Sequence, residues 1–418
     1  MRLIARLAEV TIPLFSFHPL RRLVAALPLL LLVCSLGCNS SRFPDVPAGY
    51  REFAYVSNGA SNTVSILDLV YLRQDRTVQV GANPTGIAVN PVKNEVYVVN
   101  TQSGSISVID TEKNQVVATI PVRRLPYFIS VEGAGHRAYV ANSGSNSVSV
   151  IDLDHRRVIS VAGTGEQPGL ARVSPDMRSL VVTNRGSGSV SIFDIAPHNG
   201  PNADDATPLR LRATFGGCPQ ATDVAILPDS SKAFIACSGG HQVMAAGLAL
   251  PANIWATKHN SSLTADHFLA FLDVGLTPVH LAMKPDGGEI FVSNFASDSI
   301  SEISTWTNEV GGTYPIGSKP VHGVVSEDNG TLWVSNFGAD SINIYSIDDG
   351  RLAGSVHTGS GPDALAFSAD EHLLLAADAH SGDVSVIRTQ GKQGPALFTI
   401  LPAGGSPNGI AVKAMQGK

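Results

Sequence analysis

The sequence is poor in aromatic residues, in charge and in cysteine. Aromatics make up 6% of the chain, charged residues 15%, and only four cysteines occur among 418 residues. With so few cysteines there is no paired CxxC metal ribbon, and no CxxCH haem-attachment motif is present. A net charge of −6 with no basic run argues against binding to a phosphate backbone. No nucleophile elbow or phosphate loop is visible. Gly163-Thr164-Gly165 and Gly186-Ser187-Gly188 are turn glycines rather than a dinucleotide fingerprint, because no helical pattern follows them.

The N-terminus stands apart. Arg2, Arg6, Arg21 and Arg22 precede an apolar run from Leu23 to Val33, too short for a membrane span, and then Ser35-Leu36-Gly37-Cys38. A basic start, a short apolar core and small residues before a cut describe an export signal. Two readings are open: a plain secretory signal, or a lipobox ending at Cys38. The last four residues resemble a bacterial lipobox, although Ser35 replaces the usual Leu. That resemblance implies lipidation of Cys38 and, with Asn39 rather than Asp after it, no retention in the inner membrane. The expected organisation is a signal with lipobox at 1–38, a polar tether at 39–52 and one domain at 53–414. Without residues 1–37 the chain carries 25 basic and 34 acidic residues.

Gly, Ser and Val are abundant, which suits short strands and tight turns. Tyr97-Val98-Val99-Asn100 is followed by Ser105-Ile106-Ser107-Val108-Ile109-Asp110, and the pattern returns along the chain. Copies of the Asn-ended strand begin at Tyr55, Tyr97, Tyr139, Val181, Phe234, Phe291, Trp333 and Leu375, at spacings of 42, 42, 42, 53, 57, 42 and 42. Each unit starts with a Pro-led strand such as Pro84 to Val89 and ends with a fourth strand such as Val116 to Val122. A period near 40 with four strands per unit predicts an all-β propeller of eight four-stranded blades, with seven as the alternative. The chain enters without a Pro-led strand and leaves with an unmatched one, Pro407 to Val412, so the C-terminal strand should complete the N-terminal blade. Below, the blades are numbered from Pro84, and the blade so completed is the eighth. Blades three and four carry insertions, Ala196 to Pro208 and about Pro251 to Asp266, both between third and fourth strands and hence on one face. The conserved-looking Asn and Asp of the repeat read as structural, the Asn bonding turn backbone.

This repeat resembles the YVTN family of β-propellers, found in exported and surface proteins of bacteria and archaea. The resemblance covers Phe53 to about Ala414 and implies a fold more than a function. Many relatives have seven blades.

The innermost strand lines the central channel. Two residues after its Pro, the blades carry Gly86, Phe128, Leu170, Asp223, His280, His322, Ala364 and Gly409. Asp223, His280 and His322 are thus expected at one level, either as a two-imidazole, one-carboxylate set for a divalent metal or a ligand, or as channel residues bonded to water or backbone. Histidine near this Pro is common in the resembled family and in lactonase-like propellers. The residue after the Asn is Phe295 and Phe337 in the same sector, with Arg185 and His380 nearby, a candidate ligand rim; scattered surface residues are the alternative. Cys218 and Cys237 lie at the start and end of antiparallel neighbours, which admits a disulfide or free buried thiols. His259 and His267 accompany an insertion without a defined role.

Three functions follow. The first is a non-enzymatic, lipid-anchored envelope protein, monomeric, in the periplasm or at the outer membrane or cell surface. It would bind a protein, glycan or small ligand, with the insertion face as the partner surface. The second is a metal-assisted hydrolase or lyase using Asp223, His280 and His322, similar to lactonase propellers. The third is a haem-cofactor-binding propeller, suggested by blade number alone.

Overall fold

A computed structural model describes residues 47–198, 207–252, 255–391 and 394–415. The signal, the lipobox and Cys38 lie outside them. The chain divides into two units at Gly49, and the second is the propeller.

Eight four-stranded antiparallel sheets form its blades. Blade one runs outward through Pro84–Val89, Glu95–Asn100, Ser105–Asp110 and Gln115–Pro121. The eighth is closed by Pro407–Met415, which pairs with Arg51–Asn58 so that Ala411 faces Tyr55. This seam ties the two ends of the chain together and leaves no free inner edge. Blade four is complete despite its irregular sequence, with strands Ala221–Ile226, Lys232–Cys237, Gln242–Gly247 and His267–Asp273.

The two middle strands of each blade are sandwiched between neighbouring blades. Tyr97, Val99, Ile106 and Val108 pack against Ile129, Ala138 and Val140 of the next blade. Each such apolar side chain taken fully out of water contributes about 1.5–3 kcal/mol. Outer strands alternate exposed and half-buried residues, as in Gln115–Pro121, because their far edge meets solvent.

The serines of the repeat are buried too, so the alternation does not mark a strand with one wet face. Asn100 explains them. Its Nδ2 donates to Ser105 Oγ at 3.2 Å and Ser107 Oγ at 2.9 Å, while its Oδ1 accepts from Gly81 N at 3.0 Å. Asn184 repeats the two Nδ2 bonds with Ser189 and Ser191, and Asn294 with Ser299 and Ser301. The Asn is therefore a clamp across two strands rather than a turn residue, and the hydroxyls of these three pairs are tolerated in the interior because the Asn amide partners them. The closing Asp is a turn residue: Asp110 Oδ1 accepts from the backbone N–H of Glu112 and Lys113.

Candidate functional site

Every innermost strand carries a register shift just after its first residue, between Pro278 and His280 in blade five and between Pro320 and His322 in blade six. A bulge breaks the strict alternation of side chains and re-aims those beside it. This is the local reason that the second residue after the Pro is a channel position.

The structure brings Asp223, His280 and His322 together and adds a fourth member. Arg172 Nη2 lies 3.6 Å from Asp223 Oδ1, and His280 Nε2 lies 3.7 Å from Asp223 Oδ2. The rings of His280 and His322 stack with centroids 3.9 Å apart, inclined by 30°. Arg172, Asp223, His280 and His322 thus form a continuous arc over the inner strands of blades three to six. The Arg172 guanidinium also sits 5.6 Å from the Phe128 ring centroid. Asp223 is held by backbone: Val224 N donates to Oδ1 at 2.8 Å and Leu281 N to Oδ2 at 2.9 Å. Gly323 N donates to His280 Nδ1 at 3.3 Å. That contact requires the proton of a neutral His280 to be on Nε2, facing Asp223.

Burial sets the charge state. It pulls His280 down from 6.5 to about 3, helped by the Arg172 charge. His322 is held well below its ordinary value by burial and by His280, against a smaller upward pull from Asp223. Both imidazoles are neutral at neutral pH, leaving Arg172 and Asp223 as the charged pair. Arg172 Nε is buried without a hydrogen-bond partner. On the next strand, burial raises Asp363 to about 6.

Both Asp223 oxygens accept backbone hydrogen bonds. Among the described residues, the group of three side chains whose ligand atoms all fall within 4.8 Å of one another is His136, Asp154 and His198. The ligand atoms of Asp223, His280 and His322 do not all come that close to one another.

The rim is built by a second regularity. The residue before each Pro-led strand has a left-handed backbone, as at Thr277 with φ 55° and Lys319 with φ 52°. Its carbonyl accepts from the residue after the Asn: Phe295 N to Thr277 O at 3.0 Å, Phe337 N to Lys319 O at 3.0 Å, and Arg185 N to Gln167 O at 3.1 Å. The rim side chains are thereby presented on the face where the inner strands begin. Phe337 and His380 meet edge to face at 4.7 Å. Phe295 instead lies under Lys319 Nζ at 5.9 Å, and Arg185 lies over Tyr127 at 5.9 Å. The four rim residues therefore form three contact groups.

Arg172, Asp363, Lys319 and Tyr127 escaped sequence reasoning. Arg172 had a signal. Four residues after the Pro, the other blades carry Ala88, Ser130, Ala225, Ala282, Val324, Ala366 and Ala411, so a lone Arg there is conspicuous once that column is aligned.

Cys218 and Cys237 are joined as a disulfide with Cα atoms 4.8 Å apart. Cys237 occupies the clamp position of blade four. There the two serines are replaced by Gln242 and Met244, so a covalent link stands in for the hydrogen-bonded clamp.

The family profile described as Lactonase, 7-bladed beta-propeller matches residues 317–402. That stretch is a minor part of the chain and contains His322, Phe337, Asp363 and His380. No curated protein matches the chain. Among solved structures, the fold is similar to dihydro-heme d1 dehydrogenase NirN in complex with DHE, at 14% identity and TM-score 0.68, covering 89% of this chain and 77% of that one. It is also similar to Kuenenia stuttgartiensis hydrazine synthase, at 21% identity and TM-score 0.52, covering 80% and 92%. A putative 6-phosphogluconolactonase from Bacteroides fragilis is 15% identical with TM-score 0.57, covering 89% and 100%. At these identities the likeness is one of fold, an eight-bladed propeller related in architecture to lactonase-like and NirN propellers.

Proposed function

We propose that this chain is an exported ligand-binding propeller whose channel takes a carboxylate-bearing small organic molecule. The observation that carries the reading is Arg172: a cation within the channel whose Nε is buried without a partner and whose carboxylate neighbour, Asp223, is shared with His280. A ligand carboxylate would satisfy that donor with a charge-assisted bond. The neutral imidazoles offer one donor or acceptor each without adding charge, and Phe337, Phe295 and Tyr127 offer ring faces at the mouth. A haem-type macrocycle, like the haem d1 compound named for NirN, has matching features: carboxylates for Arg172 and Arg185, and planar faces for the rim rings. It would be held without covalent attachment, since no CxxCH occurs.

The test is calorimetry with a dicarboxylate porphyrin and with an aldonic acid. Binding of either that weakens tenfold or more in Arg172→Ala supports the reading. Equal binding by Arg172→Ala, or no binding of either, overturns it.

A second reading, lactone hydrolysis, is favoured by Asp363 and by the family match over 317–402. His280, held near 3, and His322, held well below its ordinary value, are weak general bases at neutral pH, whereas a carboxylate near 6 is well matched. Asp363 would take a proton from water as the water adds to the lactone carbonyl, then return it to the ring oxygen as the C–O bond breaks. Aldonolactone opening that vanishes in Asp363→Asn supports it; opening no faster than in buffer removes it.

Export rests on residues 1–38, and a disulfide at Cys218 and Cys237 suits an oxidising compartment. Lipid-precursor labelling that depends on Cys38 supports an anchor in the periplasm or at the cell surface; labelling that persists in Cys38→Ala removes it.

A further inference from the structure

The opposite face carries a second constellation, independent of the channel. His136 lies in the turn between the first two strands of blade two. Asp154 lies in the turn after that blade's third strand. His198 stands at the start of the insertion in blade three. Three separate segments thus deliver two imidazoles and one carboxylate, with ligand atoms all within 4.8 Å of one another. His136 Nδ1 and Asp154 Oδ2 are 2.8 Å apart, and the rings of His136 and His198 face one another at 5.4 Å, inclined by 28°.

The segments are held in place by groups that are not themselves ligands. Leu153 N donates to His136 O at 2.8 Å, joining the two turns of blade two. Asp154 N donates to Asp152 Oδ1 at 3.0 Å. Arg137, a fully buried side chain, donates from Nη1 to Ala196 O at 2.7 Å and so anchors the base of the insertion. The site opens into a cavity of about 740 Å³, with Glu132, Asp176, Asp194 and Arg210 among its lining residues.

We infer that His136, Asp154 and His198 form a binding site for a divalent transition-metal ion, with open coordination positions toward this cavity. The ligand set suits ions such as Zn²⁺ that accept imidazole nitrogen and carboxylate oxygen. A structural ion pair needs one histidine, and Asp154 already has Lys93 Nζ at 2.5 Å as a counter-charge. The second imidazole is supplied by an insertion that the blade does not need for closure. The cavity leaves room for water or a substrate oxygen as a further ligand.

The experiment is calorimetric titration of the mature protein with Zn²⁺ after chelator treatment. One ion per chain is expected, with affinity reduced tenfold or more in His136→Ala and in His198→Ala and unchanged in His280→Ala plus His322→Ala. Should His136→Ala fail to fold, His198→Ala carries the test, since its residue lies in the insertion and outside the blades. Absence of Zn²⁺ binding in the unmodified protein overturns the inference. So does full binding in a folded His198→Ala variant, or binding that depends on His280 and His322 instead.

Discussion

Blades one and four occupy equivalent places in the ring by different chemistry. Blade one is regular: Asn100 clamps Ser105 and Ser107, and Gly86 lines the channel. A Cβ on Gly86 would come within 3.0 Å of Tyr127 O and 3.2 Å of Phe128 Cα, so the neighbouring inner strand approaches there as closely as glycine permits. Blade four has a disulfide for the clamp and Asp223 for the glycine. Gly409, in the eighth blade, is equally tight, with Thr85 O at 3.0 Å. The side of the ring that carries glycine is closed by backbone; the side with Asp223, His280 and His322 is lined by polar side chains. An eightfold frame thus tolerates a functional sector because each blade needs only its own clamp and its two apolar faces.

The largest test of this contrast is the clamp. Cys218→Ala with Cys237→Ala should cost about 3 kcal/mol from the loop that the link closes, because blade four has no serine pair to replace it. Asn100→Ala should cost about 1–2 kcal/mol, since it leaves the Gly81 N–H and two hydroxyls to find other partners. Urea unfolding of both variants checks the order; a disulfide variant less affected than Asn100→Ala would show that the two clamps are not equivalent.

Overpacking probes the channel. Gly86→Val should cost about 2–3 kcal/mol, because backbone cannot retreat. His322→Val, at the same register position, should cost less than about 1 kcal/mol at pH 7, where the imidazole it replaces is neutral. Comparable losses at the two positions would erase the distinction between sectors.

The pH dependence of the polar sector is the next effect. A histidine held near 3 in the fold and 6.5 when unfolded binds fewer protons in the folded chain, so stability is full above 6.5 and falls as pH drops toward 3. His280→Asn should therefore lose about 2 kcal/mol less than the parent between pH 7 and pH 4.5. Parallel stability curves for the two proteins would show that the imidazole is not shielded.

The smallest effect concerns blade seven, where Asp378 stands in the clamp position. Burial first, then the adjacent Asp383, holds it well above the ordinary carboxylate range, and its Oδ2 accepts from Ser385 N and Oγ. A raised carboxyl binds protons more tightly in the fold, so it weakens the fold progressively as pH rises above the unfolded value. Asp378→Asn should be neutral at pH 4 and stabilising by about 1 kcal/mol at pH 8.5. A variant less stable than the parent at pH 8.5 would mean that the carboxyl is better satisfied than the amide.

Much of the fold was legible because its signals are local and repeated. The Asn-ended strand, the Ser-h-Ser strand and the Pro-led strand recur at fixed spacing, and the unmatched ends required a closing seam between Pro407–Met415 and Arg51–Asn58. The channel position of Asp223, His280 and His322 followed from the same register. What it did not carry was direction. Alignment placed two imidazoles and a carboxylate at one level, but it recorded neither the facing of the two rings nor the backbone bonds that hold the carboxylate. Arg172 was overlooked because it sits two residues further along its strand, in a column that reads as small apolar elsewhere.

By itself, then, the sequence determined the repeat, the closure and the adjacency of Cys218 to the strand that ends at Cys237, since period and strand order depend on neighbours along the chain; eight blades over seven and the disulfide over free thiols were decided by the structure. Only the tertiary structure decided which side chains share a site. His136, Asp154 and His198 come from two turns of one blade and the insertion of the next, and Arg172 meets Asp223 across a blade boundary. Contacts of that kind depend on the twist and bulge of separate strands, which no spacing along the chain records.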